Sequence, residues 1–290
     1  MKQVVALKFL LVTFLSATSS FAWQDDANIF LLDPMSRFST EKTWEFLPSA
    51  RSELRVGKYL GGDTYHSWRG GVLGDVVFLS FGPNLLWHWS LGMETLADAN
   101  NDIHFRLVQV YYESITGILW RLGPGALSLA YGHRCSHGAD GAVVGRILIR
   151  SGLKSKYELP LSYKAVRFLL AASSDAYFVG QNLDLQNQPR AQAQLSASAL
   201  WPLKGAWSMI VASSFGEELI VAGKDWVYSI GAPAADWRLR PLWGARVGLR
   251  VESLAVKSDF SFSFSHIPDT GIGLKAQSHH GLSLDLNLYW

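Results

Sequence analysis

The last ten residues, Gly281 to Trp290, alternate without a break. Leu282, Leu284, Leu286, Leu288 and Trp290 share one parity, and Ser283, Asp285, Asn287 and Tyr289 share the other. Successive residues of a strand point to opposite faces, so this segment is a strand with one greasy and one polar side. A sheet built from such strands must give each side its own solvent.

The pattern recurs along most of the chain. Leu85 to Leu96 sets Leu85, Trp87, Trp89, Leu91 and Met93 against Leu86, His88, Ser90, Gly92 and Glu94. Ala191 to Trp201, Leu242 to Glu252 and Ala255 to His266 alternate in the same way, the last with three Phe against three Ser. Less regular strands are expected over 50–59, 68–80, 102–122, 126–135, 142–152 and 161–172. Trp207 to Ser214 and Glu218 to Ser229 are apolar and hard to separate. The pass yields about thirteen segments. A closed bacterial barrel takes an even number, so the 207–229 region reads as one strand and the expected count is about twelve, within a range of roughly ten to fourteen.

A soluble β-sandwich also alternates. Three features favour an antiparallel transmembrane β-barrel, an all-β fold. Ser, Gln and Arg fill the second face in strand after strand, as a wet lumen requires. The first face is rich in Leu, Phe and Trp. The chain carries 12 Trp, 10 Tyr and 15 Phe with only 17% charged residues. Beyond residue 22 no apolar run approaches the roughly 20 residues of a membrane helix. An open sheet edge cannot be satisfied in lipid, so a spanning sheet must close.

Residues 1–22 read as a secretory signal peptide: Lys2 and Lys8, an apolar stretch from Phe9 to Leu15, then small residues up to Ala22. Without that leader the 26 basic residues lose two and balance the 24 acidic ones, which gives no support to a nucleic-acid partner. Residues 23–49 show no clear alternation and are expected to form a periplasmic lead-in or a short plug, with the barrel over 50–290. Short turns normally face the periplasm. That assigns Phe81–Asn84, Gly123–Gly125 and Pro202–Gly205 to the periplasm, and the loops at 97–101, 136–141, 181–190, 231–240 and 267–278 to the outside.

The densest set of reactive groups is Tyr131-Gly-His-Arg-Cys-Ser-His-Gly-Ala-Asp140. Tyr131, His133 and Cys135, the single cysteine, share the parity of Leu127 and Leu129, so His133 and Cys135 are expected to face lipid. An imidazole beside a thiol or hydroxyl is the arrangement for nucleophile activation. Tyr131-x-His133-x-Cys135 resembles the Tyr-x-His-x-Ser stretch of two outer-membrane lipid hydrolases, phospholipase A and the lipid A deacylase, with Cys135 in the serine's place. The resemblance implies His133 as base, with Cys135 or Ser136 as nucleophile. His133-x-x-Ser136-His137-x-x-Asp140 is also similar to uncharacterised outer-membrane barrels called domain of unknown function 1207, which implies a barrel and no activity. The alternative for His133, His137 and Asp140 is a polar cluster that braces a strand end. They could also hold a metal through two imidazoles and a carboxylate, with His279-His280 completing the set. No metal and no cofactor is assigned.

Glu94, Arg246, Arg250 and Glu252 lie on polar faces and are expected to line the lumen. The reading is thus an integral outer-membrane barrel, structural or pore-forming, with lipid hydrolysis as the alternative activity. Its expected partners are outer-membrane lipids and the barrel-assembly machinery, the latter through Gly281–Trp290. No nucleic acid is among them.

Overall fold

In the computed structural model twelve long strands follow one another up and down. The structure describes residues 34–38, 44–61, 66–98, 106–138, 148–182, 188–221, 226–227, 237–253, 256–267 and 279–290. The strands are β1 (Glu45–Tyr59), β2 (Trp68–Ser80), β3 (Leu85–Asp98), β4 (Arg106–Leu122), β5 (Gly125–Gly138), β6 (Leu148–Tyr163), β7 (Val166–Asn182), β8 (Gln188–Pro202), β9 (Trp207–Val221), β10 (Trp226–Val227), β11 (Trp237–Glu252), β12 (Lys257–Ile267) and β13 (His279–Tyr289). Each long strand pairs antiparallel with its neighbours, β7 pairs with β8, and β1 pairs with β13 from Glu53↔Tyr289 to Tyr59↔Ser283. The sheet therefore closes into a twelve-stranded barrel. β10 is a two-residue addition on the end of β7 and stands outside the ring.

The two faces exchange the roles they have in a soluble protein. Phe260, Phe262 and Phe264 are 52%, 49% and 37% exposed, whereas Asp259, Ser261 and Asp285 are 0–1% exposed. Trp87, Leu91, Val247, Leu249, Leu282 and Leu286 lie on the same outer face as the Phe row. A belt of this kind is compatible with acyl chains and not with water. It also excludes the sandwich, in which these side chains would pack between two layers. Aromatics gather where the strands end: Trp120, Tyr163, Trp201, Trp207 and Trp290 at one end, Tyr112, Phe215 and Trp237 toward the other, all exposed. That is the double girdle of a membrane barrel.

The strands run 11 to 17 residues, longer than the roughly 9–11 that a tilted strand needs to span. Their ends therefore rise above the belt. Short connections lie at the end that holds Phe81–Asn84, Gly123–Pro124 and Leu203–Ala206. The long ones lie at the other, together with His66, His266, His279 and His280.

Three sequence expectations need correction. The boundary between the expected strands 142–152 and 161–172 is misplaced: 148–152 lies in β6 and 166–172 in β7, but 161–163 still belongs to β6. β6 runs through to Tyr163, and the chain turns at Lys164-Ala165 before β7. Residues 207–221 form one strand, and Trp226-Val227 pairs with β7; residues 222–225 and 228–229 of the 207–229 reading lie outside the described residues. Arg238 and Arg240 belong to β11 and not to a loop. Residues 1–22, expected to be a signal peptide, and most of the expected lead-in lie outside the described residues. Residues 45–49 already belong to β1.

Candidate functional site

Arg134 fixes the faces of β5. It reaches into the lumen, 2.9 Å from Glu94 and 3.6 Å from Glu113. Its neighbours of opposite parity, Tyr131, His133, Cys135 and His137, therefore point outward. Tyr131 is 47% exposed. His133 and Cys135 are half-buried on the wall, and His137 is exposed beside the Tyr112 ring, 6.2 Å between centroids.

His133 does not act with the residues that its sequence neighbourhood suggests. Its Nδ1 lies 2.7 Å from Oγ of Ser151, the residue directly opposite on β6. Ser114 stands opposite on β4 and accepts the indole N–H of Trp89 at 2.9 Å. Three polar side chains thus form one row across β4, β5 and β6 on the outer wall. Ser151 is only 3% exposed, covered by its surroundings. An imidazole in hydrogen-bond reach of a hydroxyl is a base–nucleophile pair in geometry, and it is also a way for two polar groups to satisfy each other next to lipid.

Ser136 faces the lumen, is 1% exposed, and accepts the backbone N–H of Leu148 at 3.2 Å. It stands on the opposite side of the sheet from His133. Cys135 lies outward, opposite Tyr112 and Ile149. Two residues along a strand place it about 7 Å from His133, Cα to Cα. Asp140 lies outside the described residues. Among the described residues no three His, Cys, Asp or Glu side chains converge as metal ligands. His279 and His280 are five strands around the ring from β5. His279 stacks on His66 at 3.9 Å, and His280 stacks on His266 at 4.4 Å beside Trp243.

The lumen holds charge in paired networks. Glu94, Arg134, Glu113, Lys154 and Asp175 form one chain of contacts across β3 to β7, each link between 2.9 and 3.6 Å. Arg250 grips Asp259 with Nε at 2.6 Å and Nη2 at 2.8 Å, while Arg246 reaches the same carboxylate at 3.4 Å and Tyr289 donates to it at 3.1 Å. Arg69 binds Asp285 with two hydrogen bonds, 2.8 and 2.5 Å. Glu218 sits between Arg150 and Arg240. Glu94, Arg246 and Arg250 are thus on the inner face. Glu252 lies at the rim of β11, 28% exposed and 3.1 Å from Arg167. Sequence reasoning named these four and set Asp285 on a polar face, but missed Asp259, Glu113, Lys154 and Glu218. Their partners are fixed by strand register, which composition does not reveal.

Among the described residues, cavities lie between the networks. One of about 30 Å³ is lined by Glu53, Arg55, Glu94, Tyr111, Glu113 and Arg134. Another, about 60 Å³, is bordered by Arg37, His88, Ser90, Lys154, Lys156 and Glu158. Polar spaces of this size have room for a few water molecules.

No protein-family model matches the chain, and no curated protein matches it. Solved structures do. An outer membrane channel from Pseudomonas putida F1 is 9% identical, with 89% of this chain and 98% of that one covered at a TM-score of 0.51. The outer membrane phospholipase A from Escherichia coli is 10% identical over 84% of this chain and 92% of its own, at 0.46. LpxR from Salmonella typhimurium is 8% identical over 82% and 99%, at 0.45. At these identities the likeness concerns the fold. Together with the greasy belt and the closed ring, the fold defines the class: this chain is a bacterial outer-membrane β-barrel.

Proposed function

We propose that this protein is a sealed barrel of the outer membrane, with a polar lumen that holds the wall together and does not serve as a general pore. The observation that carries this reading is the density of buried, mutually paired charge on the inner wall. Glu94 to Asp175 link β3 to β7, Arg246, Arg250 and Asp259 link β11 to β12, and Arg150 reaches from β6 to Glu218 on β9. A barrel whose inward charges are buried in one another leaves little of its lumen to water. Buried charges tied this way remain in place because separating them would strand each one. On this reading residues 1–22 are the export leader and Gly281–Trp290 engages the assembly machinery. The spacing of His133, Ser136, His137 and Asp140 supports a place in the group called domain of unknown function 1207. The test is purified protein in planar lipid bilayers. Silence, or brief flickers only, is expected; stable, ohmic single-channel steps would end the sealed reading.

A second reading is favoured by one contact, the 2.7 Å approach of His133 to Ser151 on the lipid-facing wall. There His133 accepts the Ser151 proton as Oγ attacks an acyl ester of a membrane lipid. The departing alcohol takes that proton, and water then frees the acyl-serine. Because Ser151 is 3% exposed, this requires the imidazole to lift as the ester arrives. In reconstituted membranes His133→Ala and Ser151→Ala should each reduce fatty-acid release to background, while Cys135→Ala retains it. Background release from the wild type itself would leave the row of polar side chains with a structural role alone.

A further inference from the structure

One region of the inner wall breaks the polar rule. At the end of the barrel with the short turns, Val77, Leu86, Leu119 and Ala126 point inward and are 0–1% exposed. Inward apolar side chains at an open mouth would face water. Here they are covered from within by residues 34–38. Phe38, 7% exposed, joins these four in one buried cluster, and Met35 packs against it. The Arg121 guanidinium lies over the Phe38 ring at 5.2 Å. The short 3-10 turn Pro34–Arg37 lies against β5 and β6.

A polar latch accompanies the ring. Arg37 Nη2 is 3.4 Å from Asp75 Oδ2, both side chains buried. The same carboxylate accepts Ser90 Oγ at 2.6 Å and lies 3.3 Å from His88 Nδ1. Arg51 donates to Ser36 at 2.9 Å. Arg37 is also part of the wall of the 60 Å³ cavity, so the segment forms the floor of that chamber. The means of attachment differ in kind from the rest of the barrel. Every wall strand is paired by backbone ladders with two neighbours, while this segment is a 3-10 turn outside the sheet whose contacts with the wall include the Phe38 ring, the Arg37–Asp75 ion pair and the Arg51–Ser36 hydrogen bond. Segments with few buried contacts open locally well before the whole fold does.

We propose that residues 34–38 are a releasable stopper of the periplasmic mouth, seated by Phe38 and aligned by Arg37 on Asp75, whose release admits small polar solutes to the chamber behind it. This rests on the sealed-barrel reading, and it assigns the apolar patch on the inner wall a purpose that a uniformly wet lumen does not.

The test places a reporter thiol in the chamber. Ser128 lines it, so Ser128→Cys in a Cys135→Ser background is treated with a charged, membrane-impermeant methanethiosulfonate. The full chain is used, folded in detergent micelles. Labelling should be slow with the native segment and about tenfold faster or more in Phe38→Ala and in Arg37→Ser, because rate follows the open fraction. Phe38→Leu, which keeps the nest filled, should stay close to the slow rate. Each variant is first scored for the heat-resistant folded band. If Phe38→Ala fails to fold, Arg37→Ser against Phe38→Leu still decides. Equally slow rates across the folded variants overturn the stopper and leave the sealed lumen standing, whereas equally fast rates overturn both. Steady conductance through the wild type would sink the sealed lumen and leave this comparison intact.

Discussion

Asp259→Ala is expected to destabilise the barrel by about 3–5 kcal/mol, the range found when one partner of a buried ion pair is removed. Asp259 is fully buried and accepts from Arg250, Arg246 and Tyr289. The alanine leaves two guanidiniums in the same enclosed space with their shared anion gone. Ser261, 2.7 Å from Arg246 Nε, and Glu252, 3.9 Å from Arg250, cannot replace it. Asp259→Asn should fall between wild type and alanine, since it keeps one acceptor oxygen and loses the charge. The measurement is the urea midpoint of the folded protein in lipid vesicles, read by its heat-resistant gel band. An alanine variant within about 1 kcal/mol of wild type would match an exposed pair. It would mean that the lumen is wet enough to solvate these charges, and the sealed reading would lose its main support.

The outer wall was legible in the sequence because lipid applies the same demand to every strand. Alternate residues are apolar through most of the belt, and polar exceptions such as His133 with Ser151 are hydrogen-bonded to one another. The blurred pattern in 68–80 has a local cause. The β2–β3 register shifts between Val77 and Leu79, so the parity that places Asp75 and Val77 inside passes to Ser80. Such a bulge inserts one residue and breaks a period of two. The missed boundary between β6 and β7 has another cause. Three other short turns carry Gly at positive φ: Gly82 at 72°, Gly123 at 61° and Gly205 at 65°. This one uses Lys164 at φ 53°, a residue that seldom adopts the left-handed region, and neither Gly nor Pro marks the spot.

The site was legible only in part, for a related reason. Parity along β5 suffices to turn His133 toward lipid and Arg134 toward the lumen. Neither parity nor spacing points to Ser151, which is 18 residues away in sequence and reaches His133 only through the β5–β6 register. The nearer hydroxyl, Ser136, is ruled out as its neighbour by the regularity of β5, which keeps the alternation through to Gly138. Motif reading finds side chains close in sequence. On a barrel wall, the chemistry lies across strands.

Gly152 links this wall site to the fold, and Gly152→Val should be among the most damaging single changes. A Cβ built on Gly152 would lie 1.9 Å from the carbonyl oxygen of Ala176 and 2.7 Å from the Cα of Tyr177. Both obstacles are backbone of β7, which cannot swing aside as a side-chain tip can. They come close because β7 carries an extra residue there: Ser151 pairs with Val179 while Gly152 pairs with Tyr177. Overpacking of a tight site costs about 1–3 kcal/mol and sometimes more. With a main-chain ladder in the way, the upper end is expected, seen as loss of most of the heat-resistant band after refolding into vesicles. Gly132→Ala supplies the contrast. Gly132 stands directly opposite Gly152 on β5, yet its added Cβ would meet only the flexible Lys154 side chain, 2.5 Å from Cδ, and should be tolerated better. Even Gly152→Ala must push β7 away from β6. That displaces Ser151, the adjacent residue, from His133, so any lipid hydrolysis by this wall should fall with it while Gly132→Ala retains it. Equal folding of Gly152→Val and Gly132→Ala would show that the two strands do not approach as closely as this register requires.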